Sequence, residues 1–298
     1  MTNEIVILDG ARTPIGTFGG SLAGVPPVDL AAHVTAEALK RTGVDPAQIG
    51  HVVFGTVINT EPRDMYLSRV AAINAGIPDS TPAMNVNRLC GSGAQAVVSA
   101  AQALMLGDAE FAVAGGAENM SRAPYLMSQA RWGQKMGDAN MQDMLLATLN
   151  CPFGSGHMGV TAENVAAEHG ISRDDQDAFA LESQTRAAAA IAAGHFKTQI
   201  APIEVRVRRD TVMFDTDEHP KSTNAEALAG LRPAFQKDGS VTAGNASGIN
   251  DGAAAMVLAT ADAAARAGLK PKARILGYAH AGVRPEVMGI GPVPAVEM

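Results

Sequence analysis

Among the side chains of this 298-residue sequence that can act as nucleophiles, Cys90 has the most informative surroundings. It lies in the stretch "NVNRLCGSGAQAVVSAAQALMLGD" (85–108), where a polar segment passes through Gly-Ser-Gly into a long apolar helix pattern. The first turn of a helix stabilises an anion, because its backbone N–H groups are unpaired and the helix dipole is positive there. We therefore expect Cys90 to form a thiolate, the nucleophilic form of cysteine. Gly91 and Gly93 would let a substrate approach the backbone, so the pattern resembles a strand–nucleophile–helix elbow with cysteine in place of serine.

A purely structural role also fits Cys90. Free cysteine is among the most buried residue types and packs like a small hydrophobic side chain. The helix that follows is apolar on nearly every face, so we expect it to be buried and to end at Gly107. The residues alone leave both interpretations open. Cys151 precedes a proline and has no helix-start setting, so we interpret it as structural and expect it to react with iodoacetamide more slowly than Cys90.

The composition indicates a globular protein without a general affinity for polyanions. Hydrophobic residues make up 47% of the chain and charged residues 18%, and the length is enough for two structural units. The formal charge of -7 argues against a nucleic-acid or anionic-membrane binder, which would need a basic face. Two cysteines make no disulfide framework, the start shows no signal peptide, and we expect no apolar stretch of bilayer length. These features predict a cytoplasmic protein with no nucleic-acid or membrane partner.

Short β-branched segments alternate with longer helical patterns in the first part of the chain. Strands are predicted in "EIVILDG", "HVVFGTVI" and "EFAVAGGAEN". Helices are predicted in "PVDLAAHVTAEALKRTG" and "DMYLSRVAAINAG", which end at Gly43 and Gly76. This alternation predicts an α/β fold with a mostly parallel sheet covered by helices on its faces.

The pattern changes near Asn119, where "MSRAPYLMSQARWGQKMGD" shows no clear period and indicates a long excursion from the core. Ser172 and Asp175 form a capping-box signal for a helix that Gly194 ends. Further on, "IEVRVRRD" and "TVMFDTD" predict two half-exposed strands, and "GNASGINDGAAAMVLAT" predicts a turn that leads into a buried strand. A helix from Ala261 to Gly268 and one more strand in "ARILGYAHAGV" are predicted to follow. The last residues, "GIGPVPAVEM", are predicted to be loop.

Several longer motifs carry a family resemblance: "NRLCGSG", "GGAENMSRAPY", "HMGVTAENVA", "LRPAF" and "GNASGINDGAAA". They occur in the order and spacing of the thiolases, the enzymes that form or cleave 3-ketoacyl-CoA, and "VINTEPRDMYLSRVAAINAG" and "MGIGPVP" add to the match. The chain most resembles bacterial biosynthetic β-ketothiolases, or acetyl-CoA acetyltransferases, over essentially its whole length. The resemblance implies a layered αβαβα fold of two similar halves, with a loop domain inserted into the first half. It assigns residues 1–118 to the N-terminal half and residues 119–248 to the inserted loop domain. Residues 249–271 return to the N-terminal half, and residues 272–298 begin a truncated C-terminal half.

The resemblance also implies roles for individual residues. Cys90 matches the cysteine that becomes acylated, and His157 and Met158 match residues beside the pantetheine arm and the acyl pocket. Ala246 and Ser247 match the turn that contacts the cofactor, and the residues that line the substrate channel are matched by Leu149, Phe235 and Met288. Lys221 lies where many relatives have a basic residue near the CoA phosphates. Acyl-CoA and CoA would be substrates, with no metal and no permanently bound cofactor. Relatives are dimers of dimers, which implies a homo-oligomer.

Structural interpretations remain for these residues. His157 can be a loop histidine whose hydrogen bonds are satisfied locally, and Ser247 can stabilise a turn. Met158 and Phe235 can be ordinary core residues.

The basic residues also have either a structural or a phosphate-binding interpretation. Arg206, Arg208 and Arg209 are interpreted as the exposed face of an edge strand rather than a phosphate site. Lys221 lies in "EHPKSTN", a segment that departs from several relatives, so the resemblance at this position is weaker.

Thiolases carry three further segments in their second half: Asn-Glu-Ala-Phe, Gly-His-Pro and Cys-x-Gly-Gly-Gly. The 298 residues contain none of them, and "EHP" at 218–220 is no substitute. In the family, these segments supply the histidine that activates the nucleophile, the cysteine that moves protons on the substrate α-carbon, and part of an oxyanion hole.

Two functions are therefore compared. In the first, the chain represents an acyl-CoA C-acyltransferase of fatty acid metabolism, typically converting two acetyl-CoA into acetoacetyl-CoA and CoA through an acyl-cysteine on Cys90. In the second, it is a truncated, inactive thiolase-like chain that acts as a binding or assembly module. Because residues that act as a unit are strongly non-additive, we expect negligible acetoacetyl-CoA thiolysis by these 298 residues alone.

Overall fold

The structure is a computed structural model and describes residues 4–298. Within these residues the helices are α1 (Pro27–Thr42), α2 (Leu67–Asn74), α3 (Ser92–Leu106), α4 (Met144–Thr148), α5 (Met158–His169), α6 (Arg173–Ala192), α7 (Ala225–Ala229), α8 (Ala261–Arg266) and α9 (Pro292–Glu297). The strands are β1 (Ile5–Arg12), β2 (Gly16–Thr17), β3 (Ile49–Gly55), β4 (Ala83–Val86), β5 (Phe111–Asn119), β6 (Tyr125–Leu126), β7 (Gln142–Asp143), β8 (Asn150–Cys151), β9 (Gly156–His157), β10 (Ile203–Val207), β11 (Asp210–Phe214), β12 (Asn250–Thr260) and β13 (Ala273–Arg274). Short 3₁₀ helices cover Pro46–Gln48, Pro62–Tyr66, Met120–Arg122, Ala130–Trp132 and Pro285–Ile290.

The chain forms two compact units. The first, the sheet unit, contains the N-terminal segment through Ala123, Lys197–His219 and Ile249–Tyr278. The second, the α5 unit, contains Pro124–Phe196, Pro220–Gly248 and Ala279–Met298. The four-part division inferred from the sequence concerns the family's two halves, and it stays a prediction.

The main sheet of the sheet unit mixes parallel and antiparallel strand pairs. Its strand order is β13-β1-β12-β5-β3-β4, and β2 pairs with β12. Strand β3 is parallel to both β4 and β5, whereas β12 is antiparallel to β1, β2 and β5. The prediction of a mostly parallel sheet is therefore wrong. Strand–helix–strand connections fix the direction of β3, β4 and β5, but β12 enters the sheet after a long excursion and is free of that rule.

Helices cover both faces of this sheet, as predicted. Val52 and Phe54 on β3 belong to the core that contains the buried side of α1 and α2. Val53, between them, belongs to the core formed with α3. This alternation follows from the two-residue period of a strand, which turns successive side chains to opposite faces.

The helix ends predicted from local sequence are confirmed. Gly43, Gly107 and Gly194 follow α1, α3 and α6 in the left-handed conformation, with φ of 70°, 83° and 73°. That conformation favours glycine, because other residues meet a Cβ clash there. The capping box is also present, since Ser172 Oγ accepts a hydrogen bond from the Asp175 N–H at 3.1 Å.

Helix α3 is less buried than predicted. Leu106 is 80% exposed and Ala94 is also exposed. The buried residues of the helix are Ser92, Ala96, Ala100, Ala101 and Leu104. Because the sequence of α3 is apolar on all sides, its pattern does not indicate which face of the helix is exposed to solvent.

The expectation about apolar stretches also needs correction. By length and composition alone, Leu89–Leu106 is apolar enough to cross a membrane, with a mean hydropathy of 1.3. The segment packs against β3 and β5 and one-third of it is buried, and core helices of soluble proteins can have the same length and hydropathy.

The last part of the chain differs from its sequence pattern. The strand predicted in "ARILGYAHAGV" is limited to Ala273–Arg274. The final residues form the 3₁₀ helix Pro285–Ile290 and helix α9 rather than loop. Proline is tolerated at both helix starts because the first N–H groups of a helix have no intrahelical partner.

The hairpin of β10 and β11 belongs to the sheet unit. Ile203, Val205 and Phe214 are buried in its core. The side chains interpreted from the sequence as exposed, those of Arg206, Arg208 and Arg209, are exposed.

Candidate active site

Cys90 lies immediately before α3, which begins at Ser92. Its side chain is exposed, so the structure does not support the interpretation of Cys90 as a buried hydrophobic residue. Gly93 faces open space, because a Cβ placed there would have no heavy atom within 4 Å outside its immediate neighbours. The start of the helix is therefore accessible on the side of this glycine.

The segment 87–92, called here the nucleophile loop, is fixed by short-range hydrogen bonds. Ser92 Oγ accepts from the Arg88 N–H at 2.8 Å and donates to the Leu89 carbonyl at 2.6 Å. Asn87 Oδ1 accepts from the Leu89 N–H at 2.9 Å. Leu89 has φ of +47°, a left-handed conformation that costs about 1–2 kcal/mol for such a residue. The loop thus keeps a strained backbone directly before Cys90, as expected for a nucleophile elbow.

Close backbone packing supports the nucleophile loop from below. A Cβ on Gly55, at the end of β3, would lie 2.5 Å from the Ser92 carbonyl carbon and 2.8 Å from the Gly93 nitrogen. A Cβ on Gly116 of β5 would lie 3.3 Å from the Gly55 carbonyl oxygen. Glycine at position 55 therefore lets the helix start approach the strand end. Sequence reasoning missed this residue, although a glycine that closes a buried strand signals close approach of another backbone.

Glu118 fixes the segment that follows β3. Its carboxylate accepts hydrogen bonds from the Val57 N–H at 2.9 Å and the Ile58 N–H at 3.0 Å. Burial raises the pKa of Glu118, and these two N–H donors only partly oppose that effect. The strand end beneath the nucleophile loop thus depends on a half-buried carboxyl group that the sequence did not single out.

In the α5 unit, four of the predicted site residues, Leu149, His157, Met158 and Phe235, lie together and are called the α5 cluster. The Met158 N–H donates to the Leu149 carbonyl at 2.8 Å, beside the β8–β9 hairpin. The ring of His157 stacks on that of Phe235, with centroids 4.8 Å apart and an interplanar angle of 17°.

His157 has a structural role as well. It is the N-cap of α5, where its Nδ1 accepts a hydrogen bond from the Gly159 N–H at 3.0 Å. Because Nδ1 is the acceptor, the neutral ring carries its proton on Nε2, which can donate to a ligand. The cap and a ligand contact use different nitrogens, so the two interpretations of His157 are compatible.

Gly159 makes the ring stack possible. A Cβ at this position would lie 2.2 Å from the ring of Phe235. Gly159 could not be singled out from the sequence, because its importance depends on Phe235, 76 positions further along the chain.

The turn that carries Ala246 and Ser247 is held by Asn245. The Asn245 Oδ1 accepts from the Thr242 N–H at 2.7 Å, and its Nδ2 donates to Asp177 Oδ1 on α6 at 2.9 Å. The Ala246 N–H closes the turn on the Thr242 carbonyl at 3.0 Å. Ser247 is exposed.

Two predicted residues lie on other elements of the α5 unit. Met288 belongs to the 3₁₀ helix Pro285–Ile290, which packs against α5. Lys221 is exposed, and its backbone N–H donates to Gln184 Oε1 of α6 at 2.9 Å, which places it beside α6.

Cys151 has a more specific environment than predicted. Hydrogen bonds from the Ser155 side chain and backbone, with a further one from the Phe153 backbone, lower the pKa of the Cys151 thiol. Cys151 lies on β8 and not at a helix start, as predicted, but its hydrogen bonds still favour the thiolate. A tight turn in the β8–β9 hairpin brings Ser155 back onto the thiol, which the sequence pattern did not show.

Two other observations concern metal ligands and cavities. Among residues 4–298, no group of three or more His, Cys, Asp or Glu side chains is arranged to hold a metal ion. A cavity of about 500 Å³ is lined by residues between Met127 and Asn140, none of which was predicted as a site residue.

Comparison with known proteins identifies relatives along the whole chain. The profile of the family described as "Thiolase, N-terminal domain" matches residues 5–262. The Beta-ketothiolase BktB of Cupriavidus necator is 58% identical over 300 residues, covering 100% of this chain and 76% of its own length. The crystal structure of the Bacillus anthracis acetyl-CoA acetyltransferase superposes with a TM-score of 0.96 at 47% identity, covering 99% of this chain and 75% of that one. Human mitochondrial 3-ketoacyl-CoA thiolase in complex with CoA gives 0.94 at 41% identity, covering 99% and 74%.

Proposed function

The chain belongs to the thiolase family, and we propose that it supplies, on Cys90, the acyl-cysteine of an enzyme that transfers acyl groups between CoA thioesters. The observation that carries this proposal is the nucleophile loop. It presents an exposed thiol at the start of α3, on a backbone fixed by Ser92 and by the packing of Gly55. A fixed nucleophile lowers the entropic cost of attack, since less motion is lost in the transition state.

The reaction has two steps. The Cys90 thiolate attacks the thioester carbonyl carbon of an acyl-CoA, the carbon–sulfur bond to CoA breaks, and CoA leaves as a thiolate that takes up a proton. In the second step the bond between the acyl carbon and Cys90 Sγ breaks and the Cys90 thiolate is restored. The acyl group passes either to the thiol of CoA, which gives up its proton, or to the α-carbon of an acetyl-CoA enolate, formed by loss of an α-proton to a base. An acetyl group transferred to that carbon gives acetoacetyl-CoA. The Cys90 backbone N–H is our candidate donor to the oxyanion of the first step.

We further propose that the α5 cluster binds CoA. His157 Nε2–H would donate to the pantetheine arm, and the side chains of Met158 and Phe235 offer apolar surface beside it. The related human thiolase was solved in complex with CoA, which supports CoA as the ligand. The remaining proposed CoA or acyl contacts are Leu149, Lys221, Ala246, Ser247 and Met288.

The wider setting is part of the same proposal. We expect a cytoplasmic enzyme of fatty acid metabolism that assembles as a homo-oligomer, a dimer or tetramer. The relatives reported above are enzymes by name, so the comparisons do not support the alternative of an inactive assembly module.

Acetylation of Cys90 tests the proposal directly. The chain is incubated with isotopically labelled acetyl-CoA, quenched in acid and digested, and the acetyl group is located by mass spectrometry. We expect label on the Cys90 peptide, lost by on the order of 10³-fold or more in Cys90→Ala and retained in Cys151→Ala. The proposal would be contradicted if the folded chain carried no label on Cys90. It would also be contradicted if Cys90→Ala took up as much label as the wild type, at another residue.

A further inference from the structure

Two polar side chains of α5, those of Glu163 and Asn164, hold other segments of the α5 unit, and Thr161 acts within the helix. Thr161 Oγ1 donates to the Met158 carbonyl at 2.7 Å, within the first turn of the helix. Glu163 accepts hydrogen bonds from the loop that contains Ser240. Asn164 Nδ2 donates to the Glu286 carbonyl at 2.9 Å, in the 3₁₀ helix that carries Met288. The contacts of Glu163 and Asn164 thus connect α5 to two of the segments on which, or next to which, we place CoA-binding residues.

Glu163 makes the densest of these contacts. Its Oε1 accepts from the Val241 N–H at 2.8 Å and its Oε2 from the Ser240 hydroxyl at 2.8 Å, and both oxygens lie 2.9 Å from the Ser240 nitrogen. The residue is only 7% exposed. Charge-assisted hydrogen bonds of this kind are the stronger ones in proteins, and their loss leaves buried N–H groups without an acceptor.

The loop approaches this carboxylate more closely than a side chain would allow. A Cβ on Gly239 would lie 2.2 Å from Glu163 Oε1. Glycine at 239 and glutamate at 163 are therefore complementary parts of one contact.

The held segment connects two parts of the proposed CoA site. The Ala234 N–H donates to the Val241 carbonyl at 2.9 Å, so Val241 is tied to the neighbour of Phe235. On the other side, Asn245 Nδ2 donates to the Ser240 carbonyl at 3.1 Å, next to the turn of Ala246. Movement at residues 240 and 241 would thus displace both the stacked ring and the cofactor-contacting turn.

We propose that Glu163 is a positioning residue for CoA, which fixes the Phe235 ring and the Ala246–Ser247 turn through its hydrogen bonds to Ser240 and Val241. This inference rests on the proposed function of the α5 cluster. Glu163 itself faces the loop, so it acts through the loop and not by touching the substrate.

The test uses Glu163→Gln in the full chain. The variant keeps the side-chain size but turns one NH₂ group toward backbone N–H donors, which displaces the loop. We expect the Kd for CoA, measured by calorimetry, and the acetyl-CoA concentration for half-maximal acetylation of Cys90 to rise on the order of tenfold. The maximal rate of acetylation and the rate of Cys90 alkylation by iodoacetamide should stay at wild-type values, because the nucleophile loop is untouched.

Matched variants separate positioning from folding. Ser240→Ala removes only one donor and should give a smaller rise in the same two quantities, which keeps the test available if Glu163→Gln fails to fold. Gly239→Ala attacks the contact from the loop side and should reproduce the effect of Glu163→Gln. Glu182→Gln, on an exposed carboxylate of α6, is the control and should match the wild type.

The outcomes distinguish this inference from the proposed function. Wild-type affinity for CoA in both Glu163→Gln and Gly239→Ala would overturn the positioning role, as would a fall in maximal rate with unchanged half-saturation. Wild type that binds CoA without acetylation of Cys90 would overturn the acyl-cysteine, while the calorimetric comparison would still decide the role of Glu163. Wild type that binds no CoA would overturn both.

Discussion

The nucleophile loop and the α5 cluster are held in place by different kinds of contact. Beneath the nucleophile loop, the decisive approach is backbone to backbone, with Gly55 against Ser92 and Gly93. Around the α5 cluster, side chains hold the loops, with Glu163 bonded to Ser240 and Val241.

This difference predicts different sensitivities. A backbone contact responds to added volume, because neither partner can turn away. A carboxylate contact responds to pH and to removal of charge, because its strength depends on ionisation. The backbone contact at Gly55 is expected to fix the thiol at any pH, whereas the carboxylate contact at Glu163 fixes the proposed CoA-binding loops only while Glu163 is ionised.

The largest effect is expected for Gly55→Ala. The new methyl group would lie 2.5 Å from the Ser92 carbonyl carbon, so the helix start must shift, and we expect a loss of about 3 kcal/mol in the free energy of unfolding. Urea denaturation measures the loss, and the rate of Cys90 alkylation should change with it. Gly24→Ala is the control, since a Cβ there meets no heavy atom within 4 Å and should change stability by less than about 0.5 kcal/mol. Equal stability of the two variants would contradict the role of Gly55.

A smaller, pH-dependent effect is expected for the loop held by Glu163. Burial opposes ionisation of Glu163, but the hydrogen bonds from Ser240 and Val241 outweigh it and lower its pKa below the ordinary value of 4.5. Its stabilising contribution is therefore present above about pH 4.5 and is lost as the pH falls through the folded-state pKa. At pH 7, Glu163→Gln should be less stable than wild type by about 2 kcal/mol, and the difference should shrink below pH 4.5.

The same titration sharpens the comparison between the two regions. Burial raises the pKa of Glu118 in the sheet unit, so its contribution is present below the unfolded-state pKa and is lost as the pH rises through the folded-state pKa. Lowering the pH should thus reduce the contribution of Glu163 to the free energy of unfolding and increase that of Glu118. Denaturation curves recorded from pH 7 to pH 3 measure this, and a constant difference between wild type and Glu163→Gln over that range would refute it.

The smallest effect is expected for Ser155→Ala. Because the Ser155 hydroxyl is the largest cause of the lowered pKa of Cys151, its removal should raise that pKa and slow alkylation of Cys151 at pH 7 by roughly threefold. Cys90, in the other unit, serves as the internal control and should be alkylated at an unchanged rate. Peptide mass spectrometry after timed iodoacetamide labelling gives both rates. A parallel change at both cysteines would show that the two regions are not independent.

Local structure could be predicted where neighbouring residues decide it. The ends of α1 and α6 depend on Gly43, Ser172 and Asp175, which act within one turn of the helix. The direction of β12 could not be predicted, because its partners on β1 and β5 are distant in the chain and a strand pattern is the same in both directions. The exposed side of α3 was missed for a similar reason, since burial depends on what the rest of the fold covers.

The candidate site shows the same division. Cys90 and His157 were proposed from the sequence, the first by its position before a helix and both by family motifs. The contacts that support them were not predicted, because the partners of Gly55, Gly159 and Glu163 come from distant segments of the chain. The residue types that bear chemistry were thus readable in the sequence, whereas the residues that position them became visible only in the fold.

The place of β12 in the sheet has a consequence for how the chain folds during synthesis. Ile5 of β1 pairs with Thr260 of β12, 255 residues later. At about 5–20 residues per second, a ribosome needs roughly 10 to 50 s to make the intervening chain. Throughout that time β1 lacks its neighbour β12, and β5, once it has been made, also has one edge unpaired. Unpaired strand edges are templates for aggregation. Chaperone dependence of the nascent chain should therefore persist until β12 has left the ribosome.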